Sequence, residues 1–149
     1  MALQIENARP EDREAVIALL QQAELLTDDL SPELTGFLLV KAQEACVGVA
    51  GLECFGTVAL LRSVAVDPQY QGRHIAAQLV NRLLETAQAD GLVDVYLITT
   101  TADRYFDRHG FQRVGRSDVP EDIQQTQQFS TLCPSSAIVM KRTVNDHAV

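Results

Sequence analysis

The sequence predicts a mixed α/β domain built around one β-sheet. Strand-like and helix-like apolar patterns alternate along the chain, three strand patterns lie next to one another between residues 37 and 66, and no internal repeat or low-complexity segment interrupts them. The chain has 149 residues, a length that fits one domain. We therefore expect a single domain over residues 1–142 and a frayed C-terminal tail over residues 143–149.

The first part of the pattern contains a strand, a helix and a meander. Residues 3–8 alternate apolar and polar, and Pro10 with the two acids after it predicts a helix start, because these residue types suit a first helical turn. One face of that helix repeats at helical spacing through Val16, Leu19, Leu20 and Ala23. Strands are then predicted over 37–40, 45–54 and 57–66, in antiparallel order.

A long amphipathic helix is the best-specified element of the second part. Its apolar face consists of Ala76, Leu79, Val80, Leu83, Leu84 and Ala87. Gly91 is the predicted C-terminal cap of this helix. The predicted elements after it are a strand at 93–98, a short helix from the threonines at 99–101 to His109, a strand at 111–114, a polar helix at 120–129 and a strand at 137–142.

The composition excludes several classes of partner. A formal net charge of -8 disfavours nucleic acid, whose phosphates require clustered Lys and Arg. The sequence contains no signal-peptide pattern and no apolar run of the roughly 18 residues that a membrane span requires. Three cysteines without metal-ligand spacing, Cys46, Cys54 and Cys133, predict reduced thiols and no metal site. We expect a cytoplasmic protein, either a monomer or a homodimer.

The segment from Leu61 to Leu79 is the most informative for chemistry. A strand ends at Asp67 and Pro68, and a helix follows whose predicted first turn, Gln71–His74, contains no acid. The first helical amides have no intrahelical partner and lie at the positive end of the dipole, so this is the arrangement that an anion site needs. On these features alone, an ordinary capped helix remains equally compatible with the segment.

Context favours the anion site. The run V-A-V-D-P-Q-Y-Q-G-R-H-I-A resembles the acetyl-CoA signature of the GNAT (GCN5-related N-acetyltransferase) family, Q/R-x-x-G-x-G/A, with Gln71 and Ala76 at its ends. The order of the predicted elements resembles that family as well, and so does the segment A-D-R-Y-F-D-R-H-G-F. The resemblance covers nearly the whole chain. It implies the GNAT fold, a central, mostly antiparallel sheet that is splayed in the middle and flanked by helices.

The resemblance also implies where acetyl-CoA binds. The pyrophosphate is expected on the turn formed by Gln71, Gly72, Arg73, His74, Ile75, Ala76 and Ala77. The pantetheine arm is expected to pair with the backbone of Val64, Ala65 and Val66. His74 departs from the family, which usually has glycine there. A side chain is tolerated if it points outward; His74 either adds positive charge beside the phosphates or is an exposed residue without a role.

Catalysis by such an enzyme requires help in removing a proton from the amine and in protonating the departing thiolate. Many GNAT enzymes use a tyrosine four residues before the G of the G-F pair as the acid, and here that position is Phe106. Its neighbour Tyr105 either reaches the sulfur or has a packing role. Glu53 is the acid of an otherwise apolar strand, so it is either a base whose pKa burial raises or a strand-end charge in water.

Arg62 is a charge in the strand A-L-L-R-S-V-A-V and therefore needs a carboxylate partner or solvent. An acceptor carboxylate, with Ser63 beside it, and a structural salt bridge remain equal alternatives. Three sequence segments resemble a GNAT subgroup that includes amino-acid acetyltransferases, such as N-acetylglutamate synthase-like domains, and acetyltransferases of bacterial arsenic-resistance operons. These segments are A-L-L-R-S-V-A-V, T-T-T-A-D-R-Y-F and F-S-T-L-C-P-S-S-A.

Three functional hypotheses follow. The first is an acetyl-CoA-dependent N-acetyltransferase for a small-molecule amine, namely an amino acid or an amino-acid-like toxin. The second is a GNAT enzyme for another amine or a protein N-terminus. The third is a non-catalytic acyl-CoA-binding module, which turnover would exclude.

Overall fold

The computed structural model describes residues 3–131 and 137–145. In this part of the chain the strands are β1 (Leu3–Asn7), β2 (Phe37–Ala42), β3 (Ala45–Phe55), β4 (Val58–Val66), β5 (Asp94–Thr99), β6 (Gln112–Val114) and β7 (Ile138–Thr143). The α-helices are α1 (Arg13–Gln22), α2 (Ile75–Ala89), α3 (Asp103–Asp107), α4 (Glu121–Gln124) and α5 (Gln127–Thr131). Short 3-10 turns cover Pro10–Asp12, Pro68–Tyr70 and Arg116–Asp118.

The strands form a seven-stranded sheet in the order β1-β2-β3-β4-β5-β7-β6, as far as the described residues go. The pairs β1–β2, β2–β3, β5–β7 and β6–β7 are antiparallel. Strand β4 pairs with β5 in parallel, through Val58–Leu60 and Asp94–Tyr96. The predicted mixed α/β fold with a mostly antiparallel sheet is confirmed.

Two of the differences from the predicted helix boundaries concern α2 and the polar helix at 120–129. Helix α2 begins at Ile75, so Gln71–His74 precede the helix and do not form its first turn. The predicted polar helix at 120–129 is two short helices, because Thr126 interrupts it. The Thr126 hydroxyl donates to the Ile123 carbonyl oxygen (2.7 Å) and accepts from the Phe129 amide (3.1 Å), which ends one helix and caps the next.

The chain divides into two compact units. Of the described residues, the first contains 3–53 and 63–85, and its core contains Val16, Leu19, Leu20, Leu30, Leu34, Phe37, Leu39, Val49 and Ala65. The second contains 54–62, 86–131 and 137–145, and its core contains Leu60, Tyr96, Val119, Ile123 and Val139. The assignment of residues 1–142 to one domain stays a prediction.

The expected frayed tail is partly wrong. Thr143 is the last residue of β7, and its hydroxyl donates to Asp94 Oδ1 (2.6 Å). The Val144 amide donates to the Val93 carbonyl oxygen (2.8 Å), and Asn145 Nδ2 donates to the Leu92 carbonyl oxygen (2.7 Å). These hydrogen bonds attach residues 143–145 to residues 92–94. Residues 146–149 lie outside the described part.

Candidate functional site

The turn between β4 and α2 starts from a fixed point. The Asp67 amide donates to the Val47 carbonyl oxygen of β3 (2.9 Å). The Asp67 carboxylate accepts from the Gln69 amide (2.9 Å), and the Asp67 carbonyl oxygen accepts from the Tyr70 amide (2.8 Å). Asp67 therefore caps the 3-10 turn at Pro68–Tyr70 with both its side chain and its backbone, which is a common function of Asp in turns.

Two residues of this turn have left-handed backbone conformations. Gly72 has φ of +83° and His74 has φ of +61°. Both are exposed, so the His74 side chain points outward, as the sequence analysis required. The family's usual glycine at position 74 has a physical explanation here, because a left-handed backbone strains a residue that carries a Cβ. This chain accepts that strain at His74.

The start of α2 carries positive charge and orphan amides. The first helical hydrogen bond runs from the Gln78 amide to the His74 carbonyl oxygen (3.1 Å), so the amides of Ile75–Ala77 precede it. The Arg73 guanidinium lies over the Tyr70 ring, 5.0 Å from its centroid. Such a cation–π contact holds the guanidinium beside the turn. No acid occurs between Gln71 and Ala77.

Strand β4 leads into this turn and also contains Arg62 and Ser63. Arg62 is 4% exposed and Ser63 is 8% exposed. Ser63 has φ of +59°, a left-handed conformation within the strand. Burial excludes solvent as the partner of Arg62, and both residues interact with neighbouring groups. After Ser63, Ala65 is buried while Val64 and Val66 are half-buried.

Glu53 does not have the environment that a buried base needs. The fully buried part of β3 is Val47–Leu52, and Glu53 lies just beyond it, partly exposed. It already interacts with a neighbouring group. Of the two alternatives for Glu53, the buried base does not fit and the strand-end charge does, because the fully buried part of β3 ends at Leu52. Its role as a base stays a prediction that does not depend on burial.

Tyr105 is the one described residue with a buried side-chain polar atom that lacks a hydrogen-bond partner; the atom is its hydroxyl oxygen. Its ring lies 4.8 Å from the His109 ring and 5.1 Å from the Phe106 ring, centroid to centroid. Burial raises the pKa of Tyr105, so the hydroxyl keeps its proton at neutral pH. Burial and the charge of Arg142 lower the pKa of His109, so the adjacent imidazole is neutral there.

An orphan buried hydroxyl costs free energy of folding, about 1–3 kcal/mol for an unsatisfied group. Such groups persist in proteins where function requires them. Tyr105 is therefore a candidate for hydrogen bonding to a ligand, which agrees with its predicted catalytic role.

Phe106 is a buried residue of the second unit and has no proton to donate. It is 8% exposed, and its ring meets the Phe111 ring edge-on at 5.8 Å. We predict that Phe106→Leu lowers the free energy of unfolding by about 1–2 kcal/mol, because it removes an aromatic contact but keeps an apolar side chain. The pH profile of turnover should stay in place, as measured by thiol release from pH 6 to 10. A shifted alkaline limb would contradict this packing role.

The described residues contain two free cysteines, Cys46 and Cys54, and Cys133 lies outside them. Within the same residues, no group of three or more His, Cys, Asp or Glu side chains could hold a metal ion. None of the described helices combines the length and the apolar character that crossing a bilayer requires.

A strand that ends in a left-handed, acid-free turn before a helix is typical of a domain that binds an anionic cofactor. The sequence profile of the family described as "Acetyltransferase (GNAT) domain" matches residues 33–113, more than half of the chain and including this turn. The chain therefore belongs to the GNAT acetyltransferase family. The predicted membership of the GNAT acetyltransferase family is confirmed.

Amino-acid acetyltransferases are among the curated relatives. The enzyme of Aeromonas salmonicida is 27% identical over 100 residues, which cover 66% of this chain and 23% of the relative. The enzyme of Mycobacterium tuberculosis is 33% identical over 75 residues, which cover 50% of this chain and 40% of the relative. The chain thus spans less than half the length of these relatives.

Solved structures of low identity show the same fold. N-acetylglutamate synthase from Neisseria gonorrhoeae, in complex with coenzyme A and N-acetyl-glutamate, gives a TM-score of 0.83 at 17% identity, covering 98% of this chain and 36% of that chain. A Mycobacterium tuberculosis protein in complex with CoA gives a TM-score of 0.78 at 22% identity, covering 94% of this chain and 98% of that chain.

The structure adds two residues that the sequence analysis missed. The Tyr70 ring contacts the Arg73 guanidinium. The sequence could have indicated this contact, because an aromatic residue three positions before an arginine allows the two side chains to meet. Gly48 lies in β3, where a Cβ would be 2.8 Å from Ile75 Cγ2. An isolated glycine in a strand pattern is a known indication of a close approach by another element.

Proposed function

We propose that this chain transfers the acetyl group of acetyl-CoA to the α-amino group of an amino acid or an amino-acid-like toxin, including the toxins handled by arsenic-resistance acetyltransferases. The observation that carries the amino-acid part is the buried guanidinium of Arg62, 4% exposed, in the strand that leads to the cofactor turn. A buried guanidinium suits a planar carboxylate, with which it forms two parallel hydrogen bonds. The curated relatives named amino-acid acetyltransferase support the same substrate class.

The proposed binding site of the acetyl donor, acetyl-CoA, is the turn before α2. Gly72 and His74 bend the backbone, Arg73 supplies charge, and the amides of Ile75–Ala77 lie at the positive end of the helix dipole. Acetyl-CoA carries its negative charge on phosphates, which such a turn can bind. Backbone pairing with Val64, Ala65 and Val66 remains the proposed contact for the pantetheine arm.

The proposed reaction is direct transfer. The lone pair of the neutral amine attacks the thioester carbon, a C–N bond forms, the C–S bond breaks, and the sulfur leaves as a thiolate. The amine gives up one proton, for which Glu53 is the proposed base, and the thiolate gains one, for which Tyr105 is the proposed acid. The products are the N-acetylated amino acid and free CoA thiol, so atoms and charge balance.

Arg62→Gln should raise the acceptor KM by at least about tenfold while sparing acetyl-CoA binding, because a charge-assisted hydrogen bond contributes roughly 1.5–3 kcal/mol. Steady-state kinetics with each substrate varied in turn would measure this. Arg62→Lys is the matched variant, which keeps the charge but loses the planar fork, and we expect an intermediate KM.

The amidated acceptor is the control for the Arg62 experiment. The wild-type protein should use the amide poorly, and Arg62→Gln should discriminate much less between amide and acid. Equal loss of both acceptors, with both variants folded by circular dichroism, would show that Arg62 forms a structural salt bridge.

The proposed function itself is tested by thiol release from acetyl-CoA with amino acids, phosphinic and arsonic amino-acid analogues, polyamines and peptides. We expect release with at least one amino acid or analogue. Release with polyamines or peptides alone would favour an enzyme for another amine. CoA binding without release from any acceptor would favour a non-catalytic acyl-CoA-binding module.

The proposed location is the cytoplasm. Cys46 and Cys54 are free thiols, and Cys54 is exposed, a state that a reducing compartment maintains.

A further inference from the structure

A glycine of β3 lies against the first residue of α2. Gly48 is buried, and a Cβ added to it would lie 2.8 Å from Ile75 Cγ2, 3.3 Å from Leu79 Cδ1 and 3.5 Å from Val40 Cβ. Carbon atoms in contact are normally about 3.5–4.0 Å apart. The contact with Ile75 is therefore the one that a larger residue at position 48 cannot accommodate.

The turn between β4 and α2 is thus fixed at both ends on neighbouring residues of one strand. At its start, the Asp67 amide donates to the Val47 carbonyl oxygen (2.9 Å). At its end, Ile75 packs on Gly48 and is itself 2% exposed. Between these two points the backbone passes through left-handed conformations at Gly72 and His74, and the side chains of residues 71–74 are exposed.

We infer that Gly48 is a positioning residue that sets the place of the cofactor turn by letting Ile75 rest directly on β3. This inference rests on the proposed placement of acetyl-CoA on the turn. Residues 71–74 are exposed, and the side chains of Gln71 and Arg73 contact Val66 and Tyr70, which adjoin the turn in sequence and so do not fix it on β3. The position of their amides depends on the two ends, and Gly48 determines one of these.

The identity of the obstructing atom makes the effect specific. Cγ2 is bonded directly to the Cβ of Ile75, so it follows the backbone of that residue and cannot rotate away without changing the rotamer of a β-branched side chain. A methyl group at position 48 must therefore displace the backbone of Ile75, together with the amides around it, or force the Ile75 side chain out of its rotamer. Leu79 Cδ1, by contrast, is the end of a flexible side chain and can move.

The test is Gly48→Ala, with acetyl-CoA affinity measured by calorimetry and both KM values measured by thiol release. We expect about tenfold weaker acetyl-CoA binding and a similarly raised acetyl-CoA KM, since a charge-assisted hydrogen bond is sensitive to such displacement. The acceptor KM should stay within about twofold of wild type, a split that general destabilisation would not produce.

Gly51→Ala is the matched control in the same strand. Its added Cβ would meet the Phe37 ring, 2.7 Å from Cε2, so the crowding is similar but lies away from the turn. We expect it to lower stability and to leave acetyl-CoA affinity within about twofold of wild type. If Gly48→Ala and Gly51→Ala weaken binding equally, the effect is general loosening and the inference is overturned.

A second variant removes the obstructing methyl group. Ile75→Leu moves the branch from Cβ to Cγ, so Gly48→Ala in the Ile75→Leu background should bind acetyl-CoA within about threefold of Ile75→Leu alone. Independent, additive losses would overturn the inference.

The experiments distinguish a wrong positioning role for Gly48 from a wrong placement of acetyl-CoA on the turn. Equal acetyl-CoA affinity of Gly72→Asp and Gly72→Asn would overturn the placement and this inference with it. Unequal affinity of that pair, together with unchanged affinity of a folded Gly48→Ala protein, would overturn the positioning role alone.

Discussion

Tyr105→Phe should lower the turnover number by about 100-fold without lowering stability. General acids contribute roughly 100-fold to 10,000-fold to catalysis, and Tyr105 is the proposed source of the proton that the thiolate gains. The same hydroxyl is buried without a hydrogen-bond partner among the described residues, so removing it eliminates an unsatisfied group. The free energy of unfolding should therefore be unchanged or higher by up to about 1 kcal/mol, as urea unfolding would show.

Tyr96→Phe is the control for this experiment. Tyr96 is 5% exposed, belongs to the core of the same unit, and also has a pKa raised by burial. Its loss should leave turnover within about twofold. An acetyl thioester of an aromatic thiol provides a further check, because a thiol of low pKa leaves more easily and needs less help from an acid. A Tyr105→Phe defect of the same size with both donors would show that the hydroxyl serves another purpose.

The pH dependence follows from the direction of the pKa shift. An ordinary tyrosine has a pKa of about 10, and burial raises the pKa of Tyr105 above this value. The acid form therefore predominates at least up to about pH 9, one unit below the ordinary tyrosine pKa. Wild-type turnover should rise with pH as the amine becomes neutral, with no loss attributable to Tyr105 below about pH 9.

Local signals in the sequence were sufficient for most of the fold. Helix α2 has an apolar face of regular spacing and a glycine cap, and Gly91 indeed has a left-handed φ of +79° after the helix end. The Leu92 amide donates to the Ala87 carbonyl oxygen (3.0 Å), which closes that cap. Both signals depend on residues that are close in sequence, so they can be recognised without knowledge of tertiary contacts.

The features that the sequence could not supply depend on tertiary contacts. Arg62 had two alternatives, solvent or a partner, and only the burial of β4 removes the first. The left-handed φ of Ser63 has no local signal, because the flanking residues continue the apolar strand pattern and position 63 is not glycine or asparagine. Glu53 had two alternatives, a buried base or a strand-end charge in water, and the core ends at Leu52, a difference of one residue that periodicity does not resolve. Arg62 and Ser63 are also the residues on which substrate recognition is proposed to depend, and Glu53 is the proposed base.

Gly72→Asp should weaken acetyl-CoA binding by about 100-fold, the largest effect expected from a single change in the turn. Two unit charges about 4 Å apart interact by about 4 kcal/mol at an effective dielectric constant of 20, and an exposed turn retains part of that energy. No described atom lies within 4 Å of a Cβ at Gly72, so the added side chain causes no steric conflict within the protein. Calorimetric titration with acetyl-CoA would measure the change.

The matched variant is Gly72→Asn, which separates charge from backbone strain. Gly72 has φ of +83°, and Asn and Asp accept left-handed conformations better than other residues with a Cβ. The two variants should therefore lose similar stability, whereas only the aspartate repels the phosphates. The difference in affinity should also shrink as salt concentration rises, because ions screen exposed charges beyond about 10 Å at 0.1 M. Equal affinities of the folded Asp and Asn proteins at low salt would place the phosphates elsewhere.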